Sequence, residues 1–151
     1  MEKEKLLISS CLLGNNVKYN GGNNILSEEL LEKLKKRYEL YACCPEVDGG
    51  LPTPRIPCEI ISQDPLKVIN KKNEEKTQQF VKGAQIALQI CKDKNIKKAL
   101  FKANSPSCSN KYIYDGSFTS SKVPGVGVAA QTLINNDVVV YSEVEIDNLF
   151  L

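Results

Sequence analysis

Short apolar runs alternate along this chain with stretches whose apolar positions recur at helical spacing. Leu6-Leu7-Ile8-Ser9-Ser10 is a compact run of the buried-strand kind. After a loop bearing Gly14, Gly21 and Gly22, Ser27-Glu28-Glu29-Leu30 opens a helix with a serine cap and an acidic first turn, expected to end near Tyr38. Glu39 to Ala42 reads as a second strand. Leu51 to Pro57 is interrupted by prolines and reads as a loop, because proline lacks the amide that a helix interior or a central strand requires. Cys58 to Ser62 is expected as an edge strand. Between Asn73 and Asn95, Phe80, Val81, Ala84, Ala87, Leu88 and Cys91 fall on one helical face and predict the longest helix, with a buried strand from Lys97 to Phe101 after it. Ser105 to Pro124 is polar, with turn signals at Ser109-Asn110, Asp115-Gly116 and Pro124-Gly125, and reads as a long functional loop. A helix from Val128 to Asn135, a strand from Val138 to Tyr141 and a short terminal helix from Glu143 complete the pattern.

This alternation predicts an α/β fold: a single three-layer domain over residues 1–151, Rossmann-like, with a mostly parallel sheet and helices on both faces. In open parallel sheets ligands bind beyond the carboxyl ends of the strands. Three apolar runs stop at thiols at such ends: the first at Cys11, the second at Cys44, the third shortly before Cys108. Right-handed crossovers would bring all three ends to one rim of the sheet.

Composition narrows what that rim can do. The chain has 151 residues, 42% of them hydrophobic and 25% charged, which is ordinary for a globular protein. Twenty Lys and Arg against 18 Asp and Glu leave a net charge of +2, so nucleic acid is a possible partner that bulk charge does not indicate. No apolar stretch reaches membrane-spanning length, and Met1-Glu-Lys-Glu-Lys runs straight into a strand without a secretory leader, so a cytoplasmic location is expected. Six cysteines in that setting argue for reduced thiols used as ligands or nucleophiles. Histidine is absent, which removes Ser/His/Asp and Cys/His catalysis, two-histidine zinc sites, Rieske clusters and histidine-bound haem together.

A cysteine is most often a small buried apolar residue, and on that basis Cys58 and Cys91 read as structural. Cys43 and Cys44 are adjacent, so strand alternation turns only one toward the rim, and the following Pro45-Glu46 favours Cys44. Cys11, Cys44 and Cys108 then form a candidate metal or cluster triad. Three thiolates without histidine suit an iron-sulfur cluster, with one iron left open. Alternatives are a closed redox or sensor cluster completed by Cys43, and zinc held by the thiols with Glu46 as base. Glu46 is placed for acid/base work, and Ser105, in Ser-Pro-Ser-Cys, is held near the last thiol by a proline-stiffened turn. Other patterns fail their context. Gly125-Val-Gly127-Val-Ala-Ala130 follows no strand, the loop after Cys11 has no arginine for a phosphatase, and no Cys-x-x-Cys exists for a zinc deaminase.

Ser9-Ser10-Cys11-Leu12-Leu13-Gly14, Lys18-Tyr19-Asn20-Gly21-Gly22, Cys44-Pro45-Glu46-Val47 with Gly49-Gly50-Leu51-Pro52-Thr53-Pro54-Arg55, Lys102-Ala103-Asn104-Ser105-Pro106-Ser107-Cys108 and Ile113-Tyr114-Asp115-Gly116 together resemble the thiouracil desulfurase family, over nearly the whole chain. The resemblance implies a [4Fe-4S] cluster held by Cys11, Cys44 and Cys108, with a fourth iron that captures the sulfur of a thiolated pyrimidine. It assigns Glu46 and Ser105 to catalysis and Tyr19, Asn20, Lys102 and Ser107 to substrate binding. It implies non-redox hydrolytic removal of sulfide from a small thionucleobase, with the oligomeric state left open. The chain departs from the usual pattern at Lys18, Asn20, Asn104 and Ser109, and these differences bear on substrate preference while leaving the thiols untouched.

Overall fold

In the computed structural model, which describes residues 3–151, the apolar run Leu6 to Ile8 forms the middle of β1 (Glu4–Ser9), and a 3-10 turn (Ser10–Leu13) follows directly. Met1 and Glu2, part of the N-terminal stretch considered above, lie outside the described residues. The chain continues through α1 (Glu28–Arg37), β2 (Tyr38–Cys43), the single-turn α2 (Pro45–Asp48), β3 (Cys58–Gln63) and β4 (Leu66–Asn70). It then forms α3 (Thr77–Lys94), β5 (Lys98–Phe101), β6 (Tyr112–Tyr114), β7 (Lys122–Pro124), α4 (Val128–Ile134), β8 (Val139–Ser142) and a terminal 3-10 segment (Glu143–Phe150). The cap predicted at Ser27 is present, its hydroxyl accepting from the Leu30 amide at 3.3 Å.

Four strands form one parallel sheet in the order β2-β1-β5-β8, with Leu7 opposite Tyr41 on one side and Ala99 on the other. Both faces are covered, which is why these strands read as continuous apolar runs. Leu6, Ile8 and Leu100 pack against Leu34 of α1 and Ile146 and Leu149 of the terminal segment. Leu7, Ala99, Phe101 and Val140 pack on the opposite face against Phe80, Ala84 and Ala87 of α3 and Ala129 and Leu133 of α4. The expected α/β architecture with helices on both faces is what the chain adopts.

Two expectations need correction. The strand from Cys58 does not edge the main sheet, since β3 pairs antiparallel with β4 in a separate two-stranded sheet. The stretch from Ser105 to Pro124 is not all loop, because β6 and β7 pair within it as a second hairpin. Neither hairpin is hydrogen-bonded to the central sheet. The sheet order also places a topological switch at β1: the connection from β1 leads to β2 on one flank, and the next central strand, β5, lies on the other. The crevice of an open α/β sheet opens at such a point, beyond the carboxyl ends of β1 and β5.

Candidate active site

At that crevice lies a cavity of about 490 Å³ whose wall includes Cys11, Cys44, Glu46, Ser105, Ser107 and Cys108. Cys11 sits in the 3-10 turn after β1, buried, with the Asn24 carboxamide donating to its sulfur at 3.6 Å. Cys44 is the N-cap of α2, its amide bonded to Asp48 Oδ2 at 3.1 Å, and Pro45 starts the turn with its φ already set for a helix. Cys108 lies buried in the loop after β5.

α2 is held tightly. A methyl group on Gly83 of α3 would come within 1.8 Å of the Pro45 carbonyl oxygen, so only glycine lets the two backbones approach. The Ser-Pro-Ser-Cys loop is held in the same manner from the other side. Amides at the start of α4 donate into it, Val128 to the Pro106 carbonyl at 2.9 Å and Ala129 to the Ser107 carbonyl at 2.8 Å. A methyl on Gly127 would meet the Ser107 carbonyl carbon at 2.6 Å. The late glycine pair, expected to follow no strand, does follow one, the short β7, and Gly127 is where α4 presses against the loop.

The polar groups form one connected set. Glu46 Oε1 is paired with Arg55 Nε at 3.2 Å, the two side chains being 13% and 7% exposed. Glu46 Oε2 accepts from Ser107 Oγ at 2.9 Å and lies 3.4 Å from Ser105 Oγ. The two hydroxyls are 2.9 Å apart, and Ser105 Oγ also accepts from the Ser107 and Cys108 amides at 3.2 Å each. Ser107 Oγ is 3.5 Å from the Cys108 sulfur. On the Cys11 side, the Lys102 amide donates to Ser9 Oγ at 3.0 Å, and Lys102 Nζ pairs with Glu143 Oε2 at 2.8 Å.

Burial raises the thiol pKa throughout. It is the leading cause at Cys11, partly offset by Asn24 and the Lys102 charge, and at Cys44, where the Glu46 charge adds to it. Burial pushes Cys108 up to about 12 against the Ser107 hydrogen bond, with Cys44 and Glu46 raising it further. Cys43 is raised well above the usual thiol range by burial and then by Cys108. All six cysteines are free thiols. In the absence of a metal these sulfurs stay protonated, and a soft cation would have to displace their protons.

Each residue expected at the site can now be placed. Cys11, Cys44, Cys108, Glu46 and Ser105 share one wall with Lys102 and Ser107, and Tyr19 stands half-exposed at the mouth. Asn20 is exposed and does not line the cavity; its side chain accepts from the Gly22 amide at 2.9 Å and holds its own turn. Cys43 is packed in the core and also reaches the cavity wall beside Cys44, while Cys91 lies within α3 and does not line the cavity. Cys58, expected to be purely structural, belongs to the core and also to the cavity wall, where the Glu46 and Arg55 charges reach it. Among the described residues no three Cys, Asp or Glu side chains converge closely enough to hold one metal ion. Zinc bound by thiols and a carboxylate needs that convergence, whereas the ligands of a cluster sit on separate irons.

Sequence reasoning passed over two members of the set. Arg55 is one of only two arginines in the chain and follows a proline-bracketed turn, a signal that was available. Glu143 gave none, since an acid after a serine at a helix start reads as ordinary capping. Besides its ion pair it accepts from the Ala103 amide at 2.7 Å, fixing the backbone next to Lys102.

The chain is 36% identical over 151 residues to the Bacillus subtilis (strain 168) protein YbbK, described as uncharacterized, covering 95% of this chain and 99% of that one. A solved structure of the [4Fe-4S]-dependent thiouracil desulfidase TudS superposes with a TM-score of 0.91 at 37% identity, covering 98% of this chain and 96% of that one. The sequence profile of the 2-thiouracil desulfurase family matches residues 6–145, from the first buried strand to the terminal segment. The chain belongs to the 2-thiouracil desulfurase family.

Proposed function

We propose that the chain works as one desulfurase domain that removes sulfur from thiouracil or a related thionucleobase by hydrolysis, releasing sulfide and leaving a carbonyl. The observation that carries this reading is the meeting, at one crevice, of three thiols from three strand ends with a carboxylate and two hydroxyls. Cys11, Cys44 and Cys108 would hold a [4Fe-4S] cluster, the cofactor named for the TudS structure. Soft sulfur donors on separate elements, with no histidine in the chain, fit such a cluster. When bound, it would supply Lewis-acidic iron with affinity for sulfur at this end of the crevice.

The protein groups would then move protons. Glu46, with Oε1 fixed by Arg55, offers Oε2 to a water attacking the thiocarbonyl carbon and takes its proton. Ser105 and Ser107, bonded to each other, hold that oxygen in place and provide a hydroxyl proton for the leaving sulfur. No electron is transferred: water provides the oxygen of the new carbonyl, and its two hydrogens leave with sulfur as hydrogen sulfide. Lys102, held by Glu143, places a positive charge at the Cys11 side. Six free thiols suit a reducing cytoplasm. Among the described residues no helix is long and apolar enough to cross a membrane.

The test is anaerobic reconstitution followed by assay of iron, acid-labile sulfide and sulfide release from 2-thiouracil. Wild type is expected to be brown and active, and Cys11→Ser, Cys44→Ser and Cys108→Ser to lose the colour. Glu46→Gln is expected to keep the colour and lose about 100-fold or more in rate, the usual scale of a lost general base. A protein that stays colourless after reconstitution, or one that is brown and releases no sulfide, overturns the reading.

A further inference from the structure

Arg55 is nearly buried, yet it does not spend all of its hydrogen-bonding capacity on the protein. Its Nε is paired with Glu46, and its Nη1 donates to the Pro52 carbonyl at 3.2 Å and to Thr53 Oγ1 at 3.3 Å. A guanidinium carries five N–H donors, and this set uses three. The two on Nη2 meet no acceptor among the described residues, although the Arg55 side chain is only 7% exposed. No fully buried side-chain nitrogen lacks a partner among those residues, so Nη2 reaches open space, and Arg55 lines the cavity. The guanidinium is further immobilised because the Arg55 amide donates to the Tyr19 carbonyl at 2.7 Å, tying its loop to the one at the mouth.

A fixed pair of charged donors beside the carboxylate calls for an acceptor on the substrate. A thiouracil ring keeps one carbonyl oxygen that does not react, and that oxygen is an acceptor of the right kind. Resting on the desulfurase reading above, we propose that Arg55 is a specificity-determining residue whose Nη2 donates to the unreactive ring carbonyl, while its Nε holds Glu46. One planar group would then set the distance between the ring and the base. Substrates lacking that carbonyl leave a nearly buried charged donor without its partner, which is a strong ground for rejection.

The experiment compares 2-thiouracil with pyrimidine-2-thione, which has the reacting thione and no second carbonyl, on reconstituted wild type, Arg55→Gln and Arg55→Lys. Removing the carbonyl is expected to cost wild type about 10- to 100-fold in kcat/KM, the range for a hydrogen bond to a charged group, and Arg55→Gln less than about 3-fold. Arg55→Lys should recover part of the discrimination, because its point charge donates without the fork geometry. Calorimetry with uracil, which needs no turnover, should show affinity for the cluster-loaded protein falling by a similar factor in Arg55→Gln, with the visible spectrum unchanged. If Arg55→Gln slows both thiones by the same factor and binds uracil as wild type does, Arg55 acts only through Glu46 and the proposal fails. If brown wild type turns over neither thione, the desulfurase reading itself has failed.

Discussion

Ser105 and Ser107 stand side by side and touch the same carboxylate, yet they are held differently. Ser105 Oγ accepts two backbone amides that shape the turn, whereas Ser107 Oγ makes the shorter bond to Glu46. Ser105→Ala should therefore lower both stability, by about 1–3 kcal/mol for amides left without an acceptor, and activity. Ser107→Ala should slow sulfide release with a smaller loss of stability, and thermal melts beside sulfide assays separate the two. Equal losses of stability in both variants would contradict this assignment of roles. Cys11, Cys44, Cys108, Glu46 and Ser105 could be picked from sequence because each closes or follows an apolar run. Ser107 as partner of Glu46 and Glu143 beside Lys102 could not, because each depends on a contact between distant parts of the chain, whereas Arg55 as anchor of Glu46 lies nine residues away and was merely overlooked.

Elements are positioned here by close backbone approach as much as by side-chain packing. Gly83 lies inside α3, where replacing glycine by alanine ordinarily stabilises a helix by about 1 kcal/mol. Here the sign reverses, because the added methyl would overlap the Pro45 carbonyl 1.8 Å away and push α2 off α3. Gly83→Ala is expected to cost about 1–3 kcal/mol, as overpacking does, and to reduce iron incorporation by moving Cys44. Unaltered melting and full iron content would refute it. The longer helices were legible because their caps and apolar stripes are local features: α1 begins after Ser27 as its motif predicts, and α3 ends at Asn95 in a left-handed cap. β4, β6, β7 and α2 were missed because their three to five residues are too few to reveal a period and lack the continuous apolar run that marks the equally short β5 and β8.

For the molecule as a whole, the placing of three distant thiols along one crevice was readable from the rule that parallel strands point their carboxyl ends one way, and the switch at β1 supplies the opening. Acid stability is governed in part from the far side of the sheet. Glu145 is pushed up by burial, but hydrogen bonds from Asn110, the Ser142 amide and Lys111 pull its pKa below the usual value. It joins the end of β8 to the loop after Cys108. A carboxylate with a lowered native pKa contributes stability that is complete above its unfolded pKa, about 4.3, and is lost as pH falls through the native value. The melting temperature of wild type should exceed that of Glu145→Gln at pH 7, and the gap should close below about pH 4. A gap independent of pH would show that the charge is not what matters.

Glu59, on β3, accepts the Gly116 and Phe118 amides at 2.9 and 3.2 Å, so one hairpin grips the tip of the other beside the cavity, where Phe118 and Ser120 form part of the wall. Neither ribbon shares a ladder with the central sheet. The doorway is thus built on pieces that can be lengthened, shortened or recoloured in charge while the chemical engine beneath stays as it is. Relatives of this chain are free to change clientele without relearning the reaction.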